Sequence, residues 1–211
     1  MKKPAVLLGV LGLVVFTAGT AQAATPVRFF IGGFAEAAQF MSYQGLGFGG
    51  EIGVAVSDFV SLSAEFATGS ASLNYNSSSS YSTSHETMKL TMTPAILSVN
   101  FTAPLAERVQ PYVGVGIAYH SLKMTDDYTY QDSSYPSAST SSSQTRDFHA
   151  VAPVFKIGLA VGLTGNIKVV GEYQQIVAKH TEKSSSESYG TSESDTYFGS
   201  ANLRVGIRIV I

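Results

Sequence analysis

Apolar side chains alternate strictly with small or polar side chains along several stretches of the chain. The clearest case is the C-terminal stretch 201–211, ANLRVGIRIVI, in which every second residue from Leu203 to Ile211 is branched and apolar. A period of two residues is the spacing of a β-strand with two unlike faces. The pattern recurs in 44–57, 59–69, 109–121 and 151–163, and less regularly in 27–36, 90–101 and 167–178. The sequence therefore predicts an all-β chain of eight strands.

The first 23 residues have the order of a secretory signal peptide. Lys2 and Lys3 precede an apolar run from Ala5 to Phe16, and the small-residue sequence Ala-Gln-Ala ends at Ala23. The alternative is a retained membrane anchor, but the run is shorter than the ~20 residues that span a bilayer. We expect residues 1–23 to be the signal peptide and residues 24–211 to form one domain.

The composition is unusual for an exported soluble domain. The chain has no cysteine, and charged residues make up 13% of it, against ~25% in typical globular domains. No stretch after residue 23 is apolar for long enough to cross a membrane as a helix. These features favour a transmembrane antiparallel up-and-down β-barrel of eight strands, whose apolar face meets lipid and whose small residues face inward. A soluble, lipocalin-like barrel with the faces reversed is the alternative.

The spacers between the predicted strands alternate in length. The turns at 57–59 and 164–166 are tight and the one at 102–108 is modest, whereas 69–88, 123–148 and 179–196 are long. Short turns on one side and long loops on the other are typical of outer-membrane barrels, in which the short turns are periplasmic and the long loops are extracellular.

The leader, the alternating strands, the sequence PYVGVGIAY at 111–119 and the terminal strand together resemble the small outer-membrane barrels of the OmpA, OmpX and opacity-protein kind. The resemblance covers residues 24–211. It implies a porin-like barrel in the outer membrane of a Gram-negative bacterium, in contact with outer-membrane lipid and lipopolysaccharide. The predicted mature chain has 11 basic and 15 acidic side chains, so we expect no nucleic-acid partner. We also expect a monomer.

Residue parity turns a set of charged side chains toward the barrel interior, and we predict that they form a lumen charge network. Its predicted members are Glu51, Glu65, Lys156, Glu172, Arg204, Arg208, Arg28 and Lys168. Parity also turns Glu36 inward. An unpaired charge in a narrow lumen is costly, so we expect these charges to be paired. Specifically, we expect Glu172 to lie between Lys156 and Arg204 on its two neighbouring strands.

The network has two interpretations. In the first it is a structural plug that fixes the strand register. In the second it is a gate, in which an exchange of ion-pair partners opens a narrow path for ions or small solutes. The family resemblance implies that Glu51, on the second strand, and Arg204, on the eighth, are the residues of such a gate.

The long spacers are rich in Ser and Thr and contain scattered tyrosines. They are interpreted either as hydrated hairpins with mobile tips or as an adhesive surface that binds an extracellular protein or glycan. The predicted contact residues are Tyr75, Tyr81, Tyr128, Tyr130, Tyr135 and Tyr189.

The sequence offers no combination of nucleophile, base and orienting group. His120 and Ser121 are adjacent in a predicted strand and therefore point to opposite faces. We therefore expect no enzymatic activity, no cofactor and no metal. The predicted function is an outer-membrane surface or structural protein, with adhesion or partner binding through the loops, and the alternative is the narrow channel.

Overall fold

The computed structural model describes residues 27–40, 43–79, 82–103, 108–132, 139–186 and 190–211. The predicted signal peptide lies outside these residues. Within them, no helix has the length and apolarity needed to span a membrane.

Eight of the ten strands in this part of the chain form a closed barrel, in the order β1-β10-β7-β6-β5-β4-β3-β2. Each neighbouring pair is antiparallel. The remaining two strands, β8 and β9, pair with each other as a separate two-stranded sheet. The strands are β1 (Arg28–Phe40), β2 (Tyr43–Ala55), β3 (Val60–Ser78), β4 (Ser82–Thr102), β5 (Val109–Asp132), β6 (Ser139–Gly162), β7 (Ile167–Ile176), β8 (Lys179–Ser186), β9 (Gly190–Tyr197) and β10 (Ser200–Val210). The predicted eight-stranded up-and-down barrel is confirmed.

The terminal strand closes the barrel. β10 pairs with β1 from Ser200↔Phe40 to Val210↔Phe30, and the Ile211 N–H donates to the Phe29 carbonyl at 2.8 Å. Closure leaves no strand edge inside the membrane, where an unpaired backbone group would be costly.

The two faces of the strands are those that parity predicts. Phe48 is 70% exposed and Leu203 62% exposed on the outside, in a band of apolar side chains that also includes Val115 and Ile157. The inward positions between them are mostly buried. An outer surface this apolar matches lipid rather than water, so the reversed, soluble arrangement is wrong.

Side-chain hydroxyls shape two of the short periplasmic turns. Ser57 Oγ accepts the N–H of Val60 at 3.0 Å, and Thr164 Oγ1 accepts the N–H of Ile167 at 3.1 Å. These are local turns in which a serine or threonine replaces a backbone acceptor, and they explain how so few residues reverse the chain.

The barrel wall is much taller on one side than on the other. β1, β2, β7 and β10 have 10 to 13 residues, close to the ~9–11 that cross a bilayer, whereas β3 to β6 have 19 to 24. Most of 69–88 and 123–148, predicted as loops, is therefore strand, and 179–196 forms most of the β8–β9 hairpin. The Ser-rich composition obscured this, because strands that extend an existing ladder need no apolar core of their own. We call the part of β3 to β6 beyond the membrane the extracellular wall, comprising residues 70–78, 82–91, 123–132 and 139–148.

An apolar cluster packs in the extracellular half of the lumen. Leu90, Met92, Leu122 and Phe198 are among the buried residues that pack there, with Phe148 against them. Phe198 belongs to the short link between β9 and β10. Its ring lies 5.4 Å from the His120 ring and 5.9 Å from the Phe148 ring. We call this cluster the apolar plug.

Candidate functional site

Arg204 is the centre of a charge cluster in the lower half of the lumen. Its Nε donates to Glu36 Oε2 at 2.8 Å, and its Nη1 donates to Glu65 Oε2 at 2.8 Å and to Glu172 Oε1 at 3.4 Å. The side chain is 3% exposed. One guanidinium therefore joins three carboxylates in a site with almost no water contact, where such hydrogen bonds are strong.

The strand register explains why these groups meet. Glu36 on β1, Arg204 on β10 and Glu172 on β7 are directly paired across three adjacent strands. Glu65 approaches from β3, on the other side of the lumen. It can reach Arg204 because the interior of an eight-stranded barrel is only wide enough to be filled by side chains.

Lys156 pairs with Glu65 rather than with Glu172. Its Nζ donates to Glu65 Oε1 and also to Ser98 Oγ, the latter at 2.9 Å. We expected Glu172 to lie between Lys156 and Arg204. Its contact with Arg204 is present, but the contact with Lys156 is wrong. The register places Lys156 beside Gln174 on β7, one inward position beyond Glu172, so its ammonium extends across the lumen to β3.

Glu51 pairs with Arg208, not with Arg204. Arg208 Nε and Nη2 donate to the two Glu51 carboxylate oxygens at 2.7 and 2.8 Å. This bidentate pair lies nearer the periplasm than the Arg204 cluster. Glu51 and Arg204, the gate residues that the family resemblance implies, form no ion pair with each other, because Glu36 occupies the place beside Arg204.

Two of the predicted residues lie apart from the cluster. Arg28 Nη2 is 2.5 Å from Asp58 Oδ1 at the periplasmic rim, where the Arg28 side chain is 45% exposed. Lys168 Nζ donates to Gln110 Oε1 at 2.6 Å. Both residues stand within two positions of a strand end, which explains why they do not reach the centre of the lumen.

Polar residues outside the predicted set complete the cluster. The Tyr112 hydroxyl donates to Glu172 Oε2 at 2.8 Å, and Gln174 Nε2 donates to Glu65 Oε2 at 3.4 Å. Glu36, which bonds directly to Arg204, is also a member of the cluster. The inward parity of Tyr112, beside Gly114, is the sequence signal for this contact, but a tyrosine near a strand end more often indicates an interfacial position.

Inward glycines make room for aromatic rings beneath the arginines. The Arg204 guanidinium carbon lies 4.3 Å from the centre of the Phe34 ring, and that of Arg208 lies 4.5 Å from the Phe30 ring. A Cβ atom added at Gly49 would come within 2.5 Å of the Phe34 ring. The alternating glycines of β2 therefore permit cation–π stacking inside a narrow barrel.

Small cavities remain between the side chains of the lower lumen. A cavity of about 20 Å³ remains beside Glu65, Glu172 and Arg204, which is room for about one water molecule. A second cavity, of about 80 Å³, lies at the periplasmic end beside Lys168 and Arg208. The apolar plug lies above the charge cluster.

The described histidines lie in three different surroundings. His120 is buried in the apolar plug, His149 stacks on Tyr119 at 5.9 Å, and His85 Nδ1 bonds to Asn76 Oδ1. The side chain of His180 is not among those described. No three His, Asp or Glu side chains of the described residues converge on a point that could hold a metal ion.

Three of the predicted contact tyrosines lie in regular strands. Tyr75 is on β3, and Tyr128 and Tyr130 are on β5, all in the extracellular wall. Tyr81, Tyr135 and Tyr189 lie outside the described residues. The strand positions mean that the three described tyrosines have fixed neighbours, unlike residues at a loop tip.

The β8–β9 hairpin carries an ion pair outside the membrane. Lys179 Nζ is 2.7 Å from Asp195 Oδ2 and 5.7 Å from the centre of the Tyr197 ring. Hydrogen bonds from Lys179 and from the Thr181 hydroxyl lower the pKa of the Asp195 carboxyl. The hairpin therefore has polar cross-strand contacts of its own at its base.

Comparison with known proteins identifies the family. The sequence model of the outer membrane protein beta-barrel domain matches residues 8–208. No curated protein sequence matches the chain significantly. Among solved structures, Neisserial surface protein A (NspA) has a TM-score of 0.53 at 13% identity, over 86% of this chain and 96% of NspA.

Two further structures align over a similar length. Ail, the attachment invasion locus protein of Yersinia pestis, gives a TM-score of 0.43 at 13% identity, over 88% of this chain and 97% of Ail. OprG from Pseudomonas aeruginosa gives 0.48 at 12% identity, over 88% and 95%. With the family match, the closed barrel and the apolar outer surface, the conclusion is that the chain belongs to the outer membrane protein beta-barrel domain family and resides in the outer membrane, in contact with its lipid.

Proposed function

We propose that the protein is a closed barrel that acts at the cell surface, and that it does not conduct ions or solutes. The observation that carries this proposal is the presence of two packed clusters in the lumen, the charge cluster around Arg204 below and the apolar plug around Phe198 above. In this proposal the charges hold the strands in register, and the extracellular wall and hairpin provide the working surface.

The energetics of the cluster favour a plug over a gate. Opening a water path requires Arg204 to leave carboxylates to which it is directly bonded. Breaking one buried ion pair typically costs about 3–5 kcal/mol, and here one cation serves three partners. A gate would also have to displace the apolar plug, which shares no side chain with the charge cluster.

The extracellular wall suits the binding of an external protein or glycan. Its strands run roughly 8 to 15 residues beyond the ~9–11 that a bilayer requires. Hydroxyl and amide side chains dominate this wall, and tyrosines supply amphipathic contact area. We assign the protein no enzymatic activity, and we place lipopolysaccharide among its lipid contacts.

Deleting the loop tips tests the proposal. One variant lacks residues 130–141, another lacks residues 182–194, and each gap is closed by an Asn-Gly turn. The variants and the wild type are produced in a non-adherent Gram-negative strain, and attachment of intact cells to glycan-coated and epithelial surfaces is counted. We expect one or both deletions to abolish the attachment that the wild type confers. If both deletions preserve attachment, or if the wild type confers none, the surface role is contradicted. The faster gel migration of unheated protein verifies that each variant is folded.

A further inference from the structure

A carboxylate lies between two tyrosines in one cross-strand row of the extracellular wall. Tyr75 on β3 pairs with Glu86 on β4, Glu86 pairs with Tyr128 on β5, and Tyr128 pairs with Ser142 on β6. Side chains of directly paired residues on one face lie about 4.5–5.5 Å apart at Cβ. Glu86 is therefore the cross-strand neighbour of both tyrosines.

This row faces the concave side of the wall. The pairing of β3, β4, β5 and β6 keeps one register from the membrane to the tips, with no bulge that would exchange the faces. Tyr75 has the parity of the inward residue Glu65, and Tyr128 has that of Tyr112. The lumen face of the barrel thus continues outward as the inner face of an open cup, whose floor is the apolar plug.

The next row toward the membrane adds a second acid. Asp126 pairs with Met88 and lies diagonally next to Glu86. Its Oδ1 atom is shielded from solvent and has no hydrogen-bond partner. Among the described residues, no cation forms an ion pair with Glu86 or Asp126. The Asp126 side chain is half-buried, so a second carboxylate lies beside Glu86 on the inner face of the wall.

Charge and shape select the ligand. Arg146 lies one row below Asp126 on β6 and donates to Gln144 at 3.3 Å. Among the described residues of the extracellular wall with inward parity, the acids are Glu86, Asp126 and Asp132, and Arg146 is the one cation. Tyr75 is 55% exposed and Tyr128 is 37% exposed, so their rings are accessible. Tyrosine faces attract cations, and a carboxylate between them adds direct charge complementarity. Leu73 and Met88, paired beneath the row, offer an apolar surface to the remainder of the ligand.

We propose that this cup binds a small organic cation, a quaternary or alkyl ammonium group on a short apolar stem, against Tyr75, Glu86 and Tyr128. The proposal rests on the proposed surface function, and it names the ligand chemistry of the extracellular wall. It places binding on the inner face of the strands, away from the tips.

The test uses choline as the cationic probe and 3,3-dimethyl-1-butanol as its neutral isostere. The full protein is placed in nanodiscs of phosphatidylethanolamine and phosphatidylglycerol, which lack choline headgroups, and binding is measured by titration calorimetry. We expect choline to bind, and the neutral isostere to bind at least tenfold more weakly. Glu86→Gln and Tyr128→Leu should each weaken choline binding about tenfold, which corresponds to about 1.4 kcal/mol, because each removes one of the groups that attract the cation.

Asp127→Asn is the matched control, because Asp127 adjoins Tyr128 in sequence but has the opposite parity and accepts a bond from Ser143. It should leave choline binding unchanged. Each variant is first verified to be folded by its heat-dependent gel mobility, and a Tyr128→Phe variant, which keeps the ring, should retain binding.

The proposal is overturned if choline does not bind, if the neutral isostere binds equally well, or if Glu86→Gln and Asp127→Asn behave alike. Loss of choline binding with tip-dependent attachment intact would contradict this inference alone. Choline binding that depends on Glu86, together with cell attachment that does not depend on the loop tips, would contradict the proposed function alone.

Discussion

Arg204 and Glu36 face each other across the seam at which the first and last barrel strands meet, with Nε 2.8 Å from Oε2. Both side chains are almost completely buried. The ion pair therefore joins the two ends of the barrel sequence at the place where closure must occur. Because Arg204 also contacts Glu65 and Glu172, the seam is tied to strands on both sides of the lumen.

Arg204→Met should strongly destabilise the barrel, because it leaves three buried carboxylates without their shared cation. We expect the free energy of unfolding to fall by about 3–5 kcal/mol, measured by urea unfolding in lipid vesicles. Arg28→Met is the matched control. Its ion pair with Asp58 is exposed, so that the loss should be below about 1 kcal/mol. Similar losses for the two variants would show that the lumen is wet enough to screen its charges.

Glu65 and Lys156 should behave as a coupled pair. Glu65→Gln and Lys156→Met each break the same buried bond, so the double variant should lose less stability than the sum of the two single losses. The coupling energy should be about 0.5–3 kcal/mol in a double-mutant cycle. The cycle for Glu172 and Lys156 is the comparison, and its coupling should be smaller, because the two side chains form no direct ion pair. Larger coupling in the second cycle would support the arrangement in which Glu172 lies between Lys156 and Arg204.

A charge placed on the lipid face should cost far more within the membrane than above it. Ile157→Lys replaces an outward residue in the apolar band of β6, and we expect a loss of roughly 2–4 kcal/mol. Thr145→Lys is the control on the same strand and the same face, in the extracellular wall, and it should change stability by less than about 0.5 kcal/mol. Urea titrations in vesicles measure both losses of stability. Equal losses would show that the boundary between the membrane and the extracellular wall is assigned wrongly.

The faces of the strands could be predicted from sequence because side-chain direction in a strand depends only on parity. Leu203 and Ile207 point outward and Arg204 and Arg208 point inward, as the alternation indicates. The tight turns could also be predicted from the sequence, because the spacers there are too short for any other connection. Closure followed from the apolar outer face, which allows no free edge in lipid.

The ion-pair partners could not be predicted, because they depend on the register summed around the whole ring. Each strand can slide past its neighbour by two residues without changing its faces. Such a slide changes which charged side chains lie at the same height along the barrel axis. Glu51 therefore meets Arg208 instead of Arg204, and Lys156 meets Glu65 instead of Glu172. The extracellular wall was missed for a different reason. Its Ser-rich strands carry no apolar alternation, and they are ordered by the ladder below them.

Planar-bilayer conductance tests the closed barrel most directly. Purified, folded protein is inserted into a bilayer at high salt, and single-channel recordings are made over a range of voltages for the wild type and for Arg204→Met. We predict no steady conductance for the wild type, and none for Arg204→Met if it inserts, since the apolar plug around Phe198 remains in place. A reproducible ohmic conductance of the wild type, altered by Arg204→Met, would contradict the closed barrel and establish the narrow channel in its place.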